Sequence, residues 1–549
     1  MVSLLAQGLV TYVGLVVVWK ISKWLFVESS LECVPGPPAF SFLSGNVQQF
    51  LEEYGWKFYY DTLKSYGAVT KIKGLFGENM LLTFDPKALH HILVKDQLIY
   101  EEATAVIALN KLVFGDSLLA VLGEQHRKQR KMLNPVFSVA HMRAMIPIFY
   151  EVTHRLRQAL LNQVKDGPKE VDILHWMTRT ALELIGQSGM GYSFDSLEGD
   201  HNSTNIHPYA QSVKRFGGLV TGPATFVLCN YLIPYTNQLN LPRVKRWIVN
   251  CLPSQWVRDV KNITDLMEET AKDICKAKQK ELMSDGSDEA KKDIISILMR
   301  ANASAVKEDR LTDGEVVAQV ATLVFAAMDT TSSALSRILY LLTQHPHVQE
   351  KLREELIQAK KDNGGEELGY DQLVTLPYLD AICRETLRVY PPVATGIRTA
   401  RKDMVLPLSK PLKTTSGKEV TELIVPNGTT IFISILGANT NPEMWGPDSY
   451  EWKPERWLEP LPDKVGEAHM PGVYSNLMTF LGGSRACIGF KFSQLEMKVV
   501  LSMLLTTFKF EDTGKTIMWK LPGIASPNVE GKGVTQPALP IILSLLEKE

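Results

Sequence analysis

The stretch Phe480-Leu-Gly-Gly-Ser-Arg-Ala-Cys487-Ile-Gly489 constrains this 549-residue chain more than any other. It reads F-x-x-G-x-R-x-C-x-G, and Phe492, Leu495, Val499, Val500, Met503 and Leu504 then recur at helical spacing. Cys487 therefore stands where a loop enters the N-terminus of a helix. Unpaired N–H groups and the helix dipole stabilise an anion there. A thiolate in that position is expected to have a lowered pKa and to be a good soft ligand. Gly482, Gly483 and Gly489 let the backbone pass close to a flat ligand through turns barred to other residues. Arg485 can reach an acidic edge of such a ligand, and Phe480 can pack beside the sulfur and exclude water. Together these parts suit a thiolate ligand to haem iron.

All five fixed positions of the stretch resemble the haem-binding loop of the cytochrome P450 family. A buried cysteine in a glycine-rich turn would explain one matched position, not five followed by an amphipathic helix. The resemblance implies that Phe480, Gly483, Arg485, Cys487 and Gly489 hold haem b, with Cys487 as the axial ligand of the iron.

Composition bounds the rest. The chain is 45% hydrophobic and 22% charged with a formal net charge of -1, an ordinary globular balance that argues against general nucleic-acid binding. None of the six cysteines is spaced as C-x-x-C, which removes zinc ribbons and thioredoxin-like motifs. A thiolate ligand must stay unpaired, so the other five cysteines are expected to be reduced.

Residues 1–19 carry no charged side chain, Lys20 and Lys23 follow at once, and apolar character resumes through Phe26. About 20 residues span a bilayer, so 1–26 is expected to be a single transmembrane anchor. Positive charges after the apolar run place the body of the chain on the cytoplasmic side, and the resemblance implies the endoplasmic reticulum membrane. The sequons at Asn202, Asn262, Asn302 and Asn427 would then be unused. A Pro-rich hinge, 27–40, contains Val34-Pro-Gly-Pro-Pro38, and a catalytic domain fills 41–549.

Along that domain, Val69 to Lys73 and Met80 to Phe84 read as a hairpin. Asp85-Pro86 starts a helix. Tyr100 to Leu122 has no clean period; in the family it roofs the pocket, which makes Leu118 and Leu119 substrate-contact candidates. Within Gly123 to Pro135, His126 and Arg130 share a helix face. They resemble the family's W-x-x-x-R pair, with His for Trp, and are implied to bind a haem propionate. The surplus charge of Arg127, Lys128 and Lys131 suits an acidic redox partner. Val171 to Gly191 reads as a buried helix, and Lys276 to Lys292 as an exposed loop between helices.

Leu311-Thr312-Asp313 caps a long helix with Glu315 in its first turn. It carries Ala326-Ala-Met-Asp329-Thr330-Thr331, which resembles the family's oxygen-activation motif A-G-x-D/E-T-T/S, with Ala327 in the usual Gly position. The resemblance makes Asp329 and Thr330 catalytic through proton delivery and sets Ala326 against the haem. Glu385 and Arg388 lie at i and i+3, and Arg456 in Pro454-Glu-Arg-Trp457 completes the family's structural charge cluster. Arg398 follows at the spacing of a propionate contact, and Val393 and Ala394 border the pocket.

The fold expected is mainly α with a minor β region, cytochrome P450-like, with an N-terminal transmembrane helix. The implied function is a haem-thiolate monooxygenase that inserts one oxygen atom of O2 into an apolar small molecule. Its loop and anchor resemble those of basidiomycete members, which act on terpenoids, sterols, fatty acids and aromatics in secondary metabolism or xenobiotic oxidation. No G-x-G-x-x-G stands between a strand and a helix, so electrons are expected from NADPH–cytochrome P450 reductase. An O2-independent haem-thiolate isomerase or dehydratase is the alternative enzyme, and a non-catalytic haem- or sterol-binding protein the alternative from another class.

Overall fold

A computed structural model describes residues 11, 14, 29–195, 197, 207–220, 223–231, 233, 242–251, 254–284, 293–531 and 537–546. The anchor expected over 1–26 lies outside the described residues apart from Thr11 and Gly14. The chain forms two compact units. The first is Met1–Ala103, Thr395–Met444 and Asp463–Arg485; the second is Thr104–Ala394, Trp445–Pro462 and Ala486–Glu549. The architecture is mainly α with a smaller β part.

The first unit is built on a five-stranded sheet. Its strands are β1 (Val69–Lys73), β2 (Asn79–Thr83), β3 (Tyr100–Glu102), β4 (Thr395–Ala400) and β5 (Thr430–Ser434), in the order β1-β2-β5-β4-β3. The expected hairpin forms with Val69 opposite Thr83. Of the pairs in this sheet only β2 and β5 run parallel, which the long connection between them allows. Asp85 caps the helix after β2 by accepting the N–H of Ala88 at 2.9 Å. The proline segment lies against β1, where Lys71 N–H donates to Pro35 O at 2.8 Å. A Cβ on Gly36 would stand 1.9 Å from Lys71 O, so only glycine passes there.

The second unit is helical. The helices that position the site are α1 (Gly123–Leu133), α2 (Val139–Val164), α3 (Ile173–Leu184), α4 (Pro208–Val220), α5 (Gln255–Ser284), α6 (Asp313–Gln344), α7 (Pro377–Val389) and α8 (Phe490–Leu505). Helix α6 opens with a capping box: Thr312 accepts the N–H of Glu315 at 3.2 Å, and Glu315 accepts that of Thr312 at 2.8 Å. Its apolar residues run all round, and it packs against α3, α5 and α8. Among the described residues it alone is long and apolar enough to cross a membrane, yet it is mostly buried inside the protein.

Two expectations are corrected here. Val171 lies on a strand, Lys169–Asp172, paired with Pro540–Leu545, and the helix begins only at Ile173 behind its Asp172 cap. Residues 276–284 are the end of α5 rather than loop. Ile263, Met267, Ala271, Ile274 and Cys275 form a buried stripe at helical spacing, which the density of charge around it masks. Lys278 is buried too, held by Asp293 at 3.0 Å and Glu281 at 2.9 Å.

Candidate active site

Cys487 lies three residues before α8, whose N-cap is Gly489. Its thiol accepts the backbone N–H of Gly489. The residue is exposed although protein atoms crowd around its sulfur. Burial pushes the thiol above its ordinary range, while the Gly489 N–H and the Arg130 guanidinium pull against that rise. The sequence argument for a lowered pKa is therefore corrected: the helix terminus contributes, but desolvation outweighs it. The protein alone does not make this sulfur an anion. A bound cation would, as a coordinating metal deprotonates a thiol outright.

Helix α1 brings two expected residues to this region. His126 is buried on it. Arg130 reaches the loop, donating from Nη1 to Ala486 O at 2.5 Å. The remaining N–H groups of Arg130 give Nε to Asn134 at 3.2 Å and leave further donors for an acidic group. A Cβ on Gly489 would meet only Phe137, at 3.8 Å. No protein atom therefore demands glycine at that position, which fits a flat ligand passing over it.

In the middle of α6, Phe325, Ala326, Ala327, Asp329 and Thr330 keep partial accessibility while the residues on both sides are buried. A solvent-shielded helix exposes its middle only where it lines an internal cavity. Thr330 Oγ1 donates to Ala326 O at 2.8 Å, which keeps the hydroxyl on the helix and its lone pairs free. The Asp329 carboxyl has no hydrogen-bond partner among the described residues. Burial raises its pKa, opposed by the charge of Lys214. The cavity wall nearby is aromatic: Phe325 packs on Phe114 at 5.0 Å and on Phe216 at 5.9 Å between ring centroids.

Leu118 is buried, its N–H bound to Gln319 of α6 at 3.1 Å. Leu119 beside it is 39% exposed. Val393 is half-buried and Ala394 buried after the end of α7.

Behind α8 the second unit holds a saturated charge cluster. Glu385 accepts Arg388 Nε and Nη2, both at 2.8 Å, Trp457 Nε1 at 2.9 Å, the Lys453 N–H at 3.0 Å and Arg456 Nε at 3.5 Å. Arg388 also donates to Ser449 O and Glu451 O, and Arg456 to Trp445 O and Asp448 O. Glu385 and Arg388 are wholly inaccessible. The sequence places these three residues in one cluster, and the structure brings them together.

The first unit carries the rest. Phe480 is buried against Tyr474, with ring centroids 5.6 Å apart. Gly483 has φ +69°, and a Cβ there would stand 1.8 Å from Leu93 O, so the turn Gly483–Arg485 requires glycine. On β4, Arg398 pairs in register with Glu102 and donates to it from Nη1 at 2.6 Å. Its Nη2 is buried with no partner. An unpartnered guanidinium N–H is costly in protein and fits an acidic group such as a haem propionate.

Two residues were not singled out from sequence. Lys214 projects from α4, beside the buried stripe Tyr209, Val213 and Phe216. Glu496 stands in the apolar face of α8 with both oxygens buried and unpartnered, and burial holds its carboxyl far above the usual carboxylate range. A single charge beside an otherwise apolar stripe is the signal that could have found both.

Comparison with known proteins agrees with this geometry. The cytochrome P450 family model matches residues 35–532. The chain is 48% identical over 536 residues to cytochrome P450 monooxygenase 91 of Postia placenta, covering 96% of each chain. It is 42% identical over 530 residues to the ganoderic acid synthetase CYP5150L8 of Ganoderma lucidum, covering 95% of each. A cytochrome P450 monooxygenase of Hericium erinaceus is 37% identical over 515 residues, 92% of this chain and 93% of that one. Family, fold and the cysteine loop converge: the chain belongs to the cytochrome P450 family and is a haem-thiolate monooxygenase.

Proposed function

We propose that this monooxygenase oxidises an apolar small molecule of the terpenoid, sterol, fatty-acid or aromatic kind, in secondary metabolism or xenobiotic oxidation. The observation that carries the reading is the accessible middle of α6, which presents Asp329 and Thr330 within a turn or so of Phe325, itself packed on Phe114 and Phe216. Such a site binds by apolar contact and has few polar groups to orient a ligand.

Haem b is the cofactor of this reading, with Cys487 on the iron, and it supplies the redox chemistry of dioxygen when bound. His126, Arg130 and Arg398 are the donors for its propionates, Phe480 and Gly483 shape the loop, Arg485 adds a positive charge, and Ala326 and Gly489 leave room for the ring. Asp329, kept above the usual carboxylate range by burial, stays loaded with a proton at higher pH than an exposed aspartate. Thr330 stands next to it to pass that proton on and to hold a water. Glu385, Arg388 and Arg456 hold the segment 445–457 on α7. The electrons come from NADPH through a cytochrome P450 reductase. Residues 1–26 anchor the chain once in the endoplasmic reticulum membrane with the catalytic domain in the cytoplasm.

The test reconstitutes the full chain with reductase and measures NADPH use against a library of apolar compounds. The expected result is substrate-dependent NADPH use with oxygenated product, together with a thiolate-type spectrum of the reduced CO form that Cys487→Ser abolishes. Product formed without O2 would overturn the reading in favour of an isomerase. Binding with no turnover would favour a carrier.

A further inference from the structure

Arg398 is held differently from two other buried arginines. Arg179 closes on Asp195 with Nε at 2.6 Å and Nη2 at 2.7 Å. Arg388 closes on Glu385 with the same two groups, both at 2.8 Å. Each gives a pair of N–H groups to one carboxylate, a strong arrangement for a guanidinium. Arg398 is only 3% exposed, yet it does not close on its acid. It gives Nη1 to Glu102 Oε2 at 2.6 Å and to Ile397 O at 2.9 Å, and its Nη2 is buried with no partner.

The sheet explains this geometry. Glu102 stands directly opposite Arg398 on the adjacent antiparallel strands β3 and β4, so the two side chains share a face. The backbone of Glu102 is fixed as well, its O accepting Arg401 Nη2 at 2.7 Å. Side chains alternate along a strand. Glu101 therefore lies on the opposite face, where Arg401 Nε meets its carboxylate at 3.4 Å. Tyr100, on the face of Glu102, ends in a buried hydroxyl that also has no partner. This face carries two unanswered donors beside one acid, so what it lacks is an acceptor.

A guanidinium keeps its charge in a protein. A lone buried cation at a haem propionate favours the ferrous over the ferric state, because it stabilises the form with the extra electron. Glu102 sets the opposite charge one hydrogen bond away, and partly buried charges are screened little by salt. Groups one step out from a bound metal centre tune it in this way.

We propose that Glu102 is a positioning residue for the haem: it takes one amino group of Arg398, leaves the other for a propionate, and offsets the guanidinium charge, so that the reduction potential of the iron stays below the value Arg398 alone would set. The proposal rests on the reading of Arg398 as a propionate donor given above.

The test uses the full chain loaded with haem. The ferric–ferrous midpoint potential is read by reductive titration, and haem retention by transfer to apomyoglobin. Glu102→Gln keeps an oxygen for Nη1 and removes the charge, so the potential should rise while haem is held at least as long as in wild type. Glu101→Gln, one residue away on the other face, should shift the potential less. Arg398→Gln should lower the potential and speed haem loss about tenfold or more, the worth of one hydrogen bond to a charged group. A Glu102 that only braces the sheet would change stability and leave the potential alone. An unchanged or lowered potential in Glu102→Gln, an equal shift in Glu101→Gln, or loss of haem from Glu102→Gln would each overturn the proposal. Potential and haem retention both unmoved by Arg398→Gln would instead overturn the reading of Arg398 on which it rests.

Discussion

Two carboxylates of the helical unit, Glu385 and Asp329, sit in buried surroundings and are treated in opposite ways. Glu385 is wholly inaccessible and accepts five N–H donors from four residues. Asp329 accepts none among the described residues, and burial shifts it towards its neutral form. A saturated carboxylate is locked in one charge state and one geometry, which suits a joint between segments. An unsaturated one remains free to gain and lose a proton. Glu496, inaccessible and unpartnered on α8, belongs chemically with Asp329 although it stands in an apolar helix face.

Thr330→Ala breaks the contrast at its catalytic end. It removes a hydroxyl whose bond, to Ala326 O, lies within its own helix, so haem and substrate binding should hold. General acid groups typically contribute about 10²- to 10⁴-fold, and product per NADPH should fall in that direction while hydrogen peroxide rises. Unchanged product per NADPH would make Thr330 a helix residue only. The methyl of Ala327 beside it bears on the size of the effect, not its sign.

A second substitution tests donors that the protein leaves for a ligand. His126→Ala should lower haem retention, read as haem lost to apomyoglobin, more than Lys128→Ala does, because the half-buried Lys128 lies on a different face of α1 from His126. Equal and negligible losses would reduce α1 to a solvated basic helix.

The smallest effect sharpens the comparison through pH. The Glu496 carboxyl is raised in the folded state. The folded chain therefore keeps a proton that the unfolded chain releases, and stability is lost as pH climbs from the ordinary carboxylate range towards the raised value. Glu496→Gln removes the titration, so its stability relative to wild type should grow with pH by up to about 1.4 kcal/mol per unit. Urea unfolding at several pH values checks this. A difference independent of pH would show that Glu496 has a partner when folded.

The loop at Cys487 was legible because its chemistry is local: five residues in ten fix a turn, a sulfur and a helix start. The Glu385 cluster was legible only through order along the chain, since Glu385 and Arg456 are 71 residues apart. What the sequence hid depends on burial. The direction of the Cys487 shift was misjudged because a helix terminus can be seen in sequence and desolvation cannot. The end of α5 looked like loop because its charges outnumber the stripe beneath them, and Lys278 finds Asp293 only in the folded chain.

The central claim is that the saturated carboxylate of Glu385 holds this protein together and the unsaturated one of Asp329 does its chemistry. Glu385→Gln and Asp329→Asn, made in the same chain and measured for both unfolding and turnover, test it most directly. Breaking a saturated buried pair costs about 3–5 kcal/mol, so Glu385→Gln should unfold and lose haem at much lower urea. Asp329→Asn should unfold near wild type, with turnover reduced by about 10²-fold or more. An Asp329→Asn protein as unstable as Glu385→Gln, or one with wild-type turnover, would contradict the account.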